Sequence, residues 1–350
     1  MKIKSTIAAI LENSHQELVI DEIRLPNHLE SGQVLVELIS SGICGAQLNE
    51  IDAIKGEDKF LPHLLGHEGV CQVIEVAHDV SRVKVGDTAI MHWRKGIGIN
   101  ANTAQYRWNG RNLNAGWVTT FNQHSIVSEN RLTKISNYEN ISMGILPLLG
   151  CALTTAYGIV TREVLPKPEG TILILGTGGV GLALVAILRT LNNIRIIAID
   201  KDAKKLKVAS SLGANDTIKF TSKEQCKLDL SLILNTVGAD IAIETTGKVS
   251  CIELAYEETK ENGFVNLVGV PNSNQKTSLY TLPLHYGKIL RGTDGGSSDP
   301  DVDIPHLIEL LQNRTLILDS YPLSTYSLND INKAIFEVRN GQPGRSIIQF

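Results

Sequence analysis

Thr171-Ile172-Leu173-Ile174-Leu175-Gly176-Thr177-Gly178-Gly179-Val180-Gly181 is the stretch on which the fold turns. Its first five residues are apolar or β-branched and too few for a buried helix, so they suit a strand covered on both faces. Gly176, Gly178 and Gly181, with Gly179 and Val180 between the last two, fit G-x-G-x-x-G. A helix-length apolar stretch, 179–192, comes next, and a second buried strand, 195–199, runs into Asp200. Glycines between a strand and a helix allow a tight turn and bring backbone N–H groups against a pyrophosphate at the helix N-terminus. Asp200 lies about twenty positions beyond the glycines, where a carboxylate accepts the adenosine ribose hydroxyls and repels a 2′-phosphate. The expected cofactor is therefore NAD rather than NADP. Lys205 is counted with the cofactor-contacting residues, although Lys201 and Lys205 also read as plain surface lysines.

The same alternation continues downstream. Segment 202–212 reads as an amphipathic helix with Lys204, Lys205 and Lys207 on its wet side, and 241–244 and 264–268 read as strands. Strands alternating with helices imply parallel βαβ units, a doubly wound Rossmann sheet of the α/β class. The tail carries helix patterns near 304–312 and 329–340 and a last strand, 346–350. Upstream of Pro166 the pattern differs: 34–38, 70–76 and 87–91 are short β-type runs among glycines, the mark of a β-rich domain. A length of 350 residues also exceeds what one core usually holds.

Composition narrows the function classes. Hydrophobic residues at 43% and charged residues at 20% fit a soluble globular chain rather than a disordered one. A net charge of -4 with no long basic run argues against nucleic acid and against a membrane surface as partner. Lys2 and Lys4 precede only a short apolar stretch, broken by Glu12 and Asn13, which is too weak for a secretory leader. The longest apolar run, 180–188, is far short of the ~20 residues that span a bilayer. Cys44, Cys71, Cys151, Cys226 and Cys251 are sparse and odd in number, so a reducing, cytoplasmic setting is expected rather than a disulfide framework. No internal repeat or low-complexity tract interrupts the chain.

Three short motifs carry candidate chemistry: Ser41-Gly42-Ile43-Cys44-Gly45, Gly66-His67-Glu68-Gly69 and Gly150-Cys151-Ala152. Each cysteine or histidine by itself reads equally well as a buried structural residue. Their order along the chain is more specific. GICG, LGHEG, VGD (85–87), TTFNQHSIVSEN (119–130), LGCALTTAYG (149–158) and LGTGGVGL (175–182) together resemble the zinc-containing medium-chain alcohol dehydrogenases, above all the liver-type and formaldehyde-dehydrogenase branch.

The resemblance implies that Cys44, His67 and Cys151 ligate one catalytic Zn²⁺, with Glu68 beside it. Two thiolates, an imidazole and an open position are a known catalytic set. Such a metal acts as a Lewis acid on the substrate oxygen while the cofactor takes or gives the hydride. It further implies that Thr155 lies by the nicotinamide and that Arg345, in Pro343-Gly344-Arg345-Ser346, reaches the pyrophosphate with a bidentate fork. Trp93 falls where the family has an aromatic wall of the substrate pocket. A GroES-like β-rich catalytic domain, 1–152 and 295–350, is expected beside a Rossmann domain, 153–294, in a homodimer.

Two departures stand out. The family's proton acceptor, a serine or threonine two places after the first cysteine ligand, is Ala46 here; its histidine three places further is Asn49, and Gln47 replaces the usual aspartate. His92 and Glu68 are the candidates for a substitute proton route. The structural-zinc cysteines are also missing: 88–128 has no cysteine and no acidic residue, but contains Arg94, Lys95, Arg107, Arg111 and all three tryptophans, Trp93, Trp108 and Trp117. Aromatic faces, amides and positive charge suit a polar substrate such as a sugar or cyclitol phosphate; the plainer reading is a lobe folded around its own tryptophans or packed against another subunit. The leading function is thus an NAD- and zinc-dependent dehydrogenase acting on a small alcohol, aldehyde or ketone. The competing readings are a non-catalytic NAD-binding or regulatory protein that kept the fold and, less well supported, a zinc-free quinone reductase.

Overall fold

The computed structural model describes all residues except Lys2 and Thr236, so Lys2, one of the two lysines in the leader argument, lies outside the described residues. The chain divides into two units, Met1–Thr154 with Asp299–Gln312 and Leu323–Phe350, and Thr155–Ser298 with Asn313–Pro322. No helix of the described residues is long and apolar enough to cross a membrane.

The second unit is built on a six-stranded, all-parallel sheet. Its strands run in the order Asp216–Lys219, Arg195–Asp200, Thr171–Leu175, Ala239–Glu244, Thr259–Leu267, Ile289–Gly292. Numbered along the chain, that is 3-2-1-4-5-6, the Rossmann order. The order reverses beside Thr171–Leu175, the strand that feeds the glycine loop. Ile172, Leu173, Ile174 and Leu175 are all buried, as a strand covered on both faces requires. The following helix is Gly179–Leu188, shorter than the apolar stretch suggests, and it ends at Arg189. Helix Ala203–Leu212 starts at Asp202, whose side chain accepts the Lys204 N–H and caps it. The core between sheet and helices is closed by Cys226, Leu230, Leu254 and Tyr256.

The first unit is β-rich, with two sheets. A five-stranded sheet is ordered His63–Leu64, Ser5–Leu11, Val19–Arg24, Tyr106–Trp108, Arg111–Leu113. A seven-stranded sheet is organised around Gln33–Ile43, which pairs with Gly69–Val76, His124–Ser128 and Arg345–Gln349. This central strand is twice as long as its apolar run, because Ser40 and Ser41 continue it as buried polar residues. The Ser41 hydroxyl lies 3.1 Å from the Glu68 carbonyl and 2.7 Å from Thr120 Oγ1, so its burial leaves no bare polar atom.

The lobe without cysteines is held by carboxylates from outside it. Glu129, 1% exposed, accepts the N–H groups of Ser81 and Arg82 on Oε1 and of Ile99 on Oε2, all at 2.7–2.8 Å. Asp301 accepts the Ile97 N–H, and the Ser128 hydroxyl accepts that of Ala101. Of the three tryptophans only Trp108 is buried in this packing; Trp93 is half-buried and Trp117 is 46% exposed. Trp108 is buried, donates Nε1–H to Asp21 at 2.8 Å and lies under Arg111, which also pairs with Glu12. Arg131 covers Trp117 and donates to the Trp93 carbonyl. For Trp108 and Arg111 these contacts accord with the plainer reading of the lobe.

Candidate active site

The β-pairing brings two of the candidate ligands together. The antiparallel register sets Ser41 opposite Gly69, so Cys44, just past one strand, and His67, just before the other, emerge at the same end. Cys44 is the N-cap of the helix Gly45–Ile51, whose far end is clamped by a bidentate pair between Arg339 and Asp52. Cys151 closes the 3₁₀ turn Leu146–Gly150, which packs on the same strands. The Cys44 and Cys151 sulfurs and a His67 ring nitrogen all lie within 4.8 Å of one another, the one such group found among the described residues.

The donor set fits a zinc ion. Nε2 of His67 is buried with no hydrogen-bond partner, while Nδ1 is engaged by Gln47 at 2.6 Å. A buried imidazole nitrogen facing two thiol sulfurs is an N/S donor set of the kind zinc takes. The two thiols share one proton in effect. Cys44 is held well below the usual thiol range by the hydrogen bond from Cys151, and Cys151 is raised well above it by the same contact.

Glu68, fully buried, forms an ion pair with Arg345, Nε to Oε1 at 3.1 Å. Burial raises its carboxyl to about 6 against the pull of the Arg345 guanidinium. Arg345 itself is 5% exposed and also donates to the Ile43 carbonyl. The expectation of an arginine reaching out to a pyrophosphate therefore meets a side chain turned inward, because a buried carboxylate needs the cation beside it. Ala46 stands in the first turn of the Gly45–Ile51 helix, where no hydroxyl is offered.

His92 is 1% exposed and has both ring nitrogens in use. Nδ1 donates to the Arg94 carbonyl at 2.7 Å, and Nε2 accepts the Thr133 hydroxyl at 3.0 Å. No ring atom is left for a substrate proton, so the structure gives His92 a packing role instead of the relay considered from sequence. Burial pushes its pKa down to about 4. The unfolded chain, with histidine near 6.5, binds the extra proton first, so stability falls as pH drops from about 6.5 towards 4. At pH 5 the loss from this residue is about 2 kcal/mol. Urea unfolding at pH 7 and pH 5 checks it: His92→Gln should lose less stability than wild type by that amount, and equal losses would refute it. Trp93 is half-buried with Arg94 5.7 Å from its ring centroid.

In the second unit the glycine loop has the expected form. Gly176 has φ +93°, and a Cβ on Gly181 would overlap the Gly176 carbonyl oxygen, so the loop and the helix approach as only glycine permits. A Cβ on Gly178 would meet nothing within 4 Å, which leaves open space at the N-terminus of the Gly179–Leu188 helix. Val180 lies in the first turn of that helix. Asp200 ends its strand and is tied to the loop: Oδ2 accepts the Thr177 N–H at 2.7 Å and the Thr177 hydroxyl at 3.0 Å, and Oδ1 accepts the Asp202 N–H at 3.0 Å. Thr177 escaped the sequence reading, because a variable position of the motif carries no signal by itself. Lys205 is half-buried on helix Ala203–Leu212, and Thr155 is buried on helix Ala152–Gly158.

Comparison with known proteins meets this geometry from both units. The family model described as "Alcohol dehydrogenase GroES-like domain" matches residues 30–137, and "Zinc-binding dehydrogenase" matches 179–313. Curated relatives from Escherichia coli, named S-(hydroxymethyl)glutathione dehydrogenase, are 28% identical over 350 residues, covering 92% of this chain and 93% of theirs. Among solved structures, benzyl alcohol dehydrogenase from Acinetobacter calcoaceticus superposes with a TM-score of 0.87 at 22% identity, covering 99% of this chain and 100% of that one. An alcohol dehydrogenase zinc-binding domain protein from Burkholderia ambifaria does so at 0.88 and 23%, covering 99% of each. With a Rossmann sheet, a GroES-like β unit and two thiols converging on an orphan imidazole nitrogen, the chain belongs to the zinc-type medium-chain alcohol dehydrogenases.

Proposed function

We propose that this chain passes a hydride between NAD(H) and an alcohol, aldehyde or ketone at a single zinc centre. The observation that carries the reading is the convergence of Cys44, His67 and Cys151 within 4.8 Å, with His67 Nε2 buried and unpartnered. Those three residues would hold one Zn²⁺, which supplies Lewis acidity toward the substrate oxygen. The chain's own residues do the rest. Cys44 and Cys151 would both ligate as thiolates and bring negative charge to the ligand set. The Glu68–Arg345 pair keeps a compensated charge behind it. The glycine loop at 176–181 offers backbone N–H groups to a pyrophosphate, and Asp200 offers a carboxylate to the ribose, which favours NAD over NADP. Thr155 and Lys205 remain candidates for further cofactor contact.

The substrate is a small molecule bearing a hydroxyl or carbonyl. The relatives' names, on S-(hydroxymethyl)glutathione and benzyl alcohol, span a polar and an apolar alcohol. The binding partners of Arg111 and Trp108 weaken the case for a phosphorylated sugar or cyclitol. We also propose a homodimer: strand Ile289–Gly292 ends its sheet with an edge left unpaired among the described residues, and Tyr280, Leu282, Tyr286 and Ile289 beside it are exposed. Five unpaired cysteines suit a reducing compartment such as the cytoplasm.

Ala46 favours one second reading, an NAD-binding protein without turnover. One preparation decides between them. The purified protein should contain about one Zn²⁺ per chain, sediment at twice the chain mass and generate NADH absorbance with at least one member of an alcohol panel. Zinc near zero would refute the metal centre; bound zinc with NADH binding but no turnover across the panel would favour the second reading.

A further inference from the structure

We propose that Gln47 sets which nitrogen of His67 carries the ring proton, and that its amide opposes the tautomer a metal requires. The inference rests on Cys44, His67 and Cys151 being the metal ligands. Gln47 is 1% exposed and stands at the third position of the Gly45–Ile51 helix, where its side chain reaches back to the N-cap. It touches two of the three ligand residues. Its Oε1 accepts the Cys44 N–H at 2.9 Å, and its Nε2 lies 2.6 Å from His67 Nδ1.

These two contacts fix the proton. A backbone N–H can only donate, so the amide oxygen must face Cys44 and the NH₂ must face the ring. An amide NH₂ has no acceptor capacity, so His67 Nδ1 is the acceptor and the ring proton sits on Nε2. Nε2 is the buried nitrogen without a hydrogen-bond partner, and it is the one left for the cluster of Cys44 and Cys151.

A ligating nitrogen must be unprotonated. Loading the site through Nε2 therefore removes one proton from Nε2 and adds one to Nδ1, with no net change on the ring. The new Nδ1–H then points at the Gln47 NH₂, donor against donor. Turning the amide over repairs that contact and creates the same conflict at the Cys44 N–H. A neutral amide serves one of the two donors and not both. A carboxylate of the same length accepts from both at once, and metal-bound imidazoles ordinarily have such an acceptor behind them.

Gln47 is thus a positioning residue that favours the Nε2–H tautomer of His67 and lowers zinc affinity. Zinc affinity of wild type and Gln47→Glu, measured against a competing chelator, tests it. Gln47→Glu is expected to bind Zn²⁺ about 10–100-fold more tightly. A second measurement needs no variant to fold. In ¹⁵N-histidine spectra of the wild type, with His67 assigned by His67→Asn, the metal-free ring should be the Nε2–H form and should become the Nδ1–H form on adding Zn²⁺. Equal zinc affinities, or an Nδ1–H ring in the metal-free protein, overturn the proposal and leave the metal centre standing. A wild type that binds no Zn²⁺ overturns both.

Discussion

Cys151→Ser is expected to leave a folded chain that has lost its zinc, with hydride transfer to NAD down on the order of a thousandfold. The size follows from removing several kcal/mol of charge stabilisation at the substrate oxygen, at a factor of ten per 1.36 kcal/mol. The fold should survive because the β-rich unit is closed by apolar clusters built on residues such as Phe121, Ile348, Tyr106 and Val73, which the substitution leaves in place. Serine also keeps the side chain's length and can sit at the end of the same 3₁₀ turn. What it loses is the soft sulfur donor that would complete the metal's ligand set. Elemental analysis, turnover and thermal unfolding of the variant give the answer. Retained zinc with retained turnover would remove Cys151 from the ligand set. Loss of zinc with a fall in Tm beyond ~10 °C would make the site a structural one instead.

Asp200→Ala should weaken NADH binding about 10–100-fold, the worth of one or two hydrogen bonds to a charged group. It should also narrow the preference over NADPH, because the charge opposing a 2′-phosphate goes with it. The structure adds a reason for the large effect. The carboxylate also accepts the Thr177 N–H and hydroxyl and the Asp202 N–H, so alanine loosens the glycine loop as well as the ribose contact. Asp200→Asn keeps one oxygen acceptor for these donors and loses the charge. It should therefore affect NADH less than alanine does while still relaxing the choice between cofactors. Calorimetric titration of both cofactors into wild type and the two variants separates the terms. A wild type that prefers NADPH, or an alanine variant with unchanged NADH affinity, would end this reading of the strand end.

Some of the protein was legible along the chain, and the reason is local. A strand period, glycines that permit a tight turn and an acid about one βαβ unit later are properties of neighbouring residues. Thr171–Leu175, the loop at 176–181 and Asp200 therefore needed no tertiary knowledge. The Rossmann class followed from the same alternation. Strand Gln33–Ile43 outruns its apolar signal at 34–38, since Ser40 and Ser41 carry none until their buried partners are known. The hairpin Ser5–Leu11 and Val19–Arg24 has no clear local signal, since a short apolar run after lysines also resembles the start of a leader.

What the sequence by itself determined was the dinucleotide unit and, through the order of its motifs, which cysteines and histidine to watch. Only the tertiary structure decided what those residues touch. Cys44, His67 and Cys151 meet because the register of two strands and a 3₁₀ turn brings distant segments to one end of a sheet. Arg345 turns inward because a buried Glu68 requires a cation. His92 is withdrawn from proton traffic because Arg94 and Thr133 take both its nitrogens. Gln47 changes from a substitution into a control on His67 only once its amide is seen between two ligands. Each of these depends on a polar atom losing water and having to find a partner, and that partner is chosen by packing rather than by spacing along the chain.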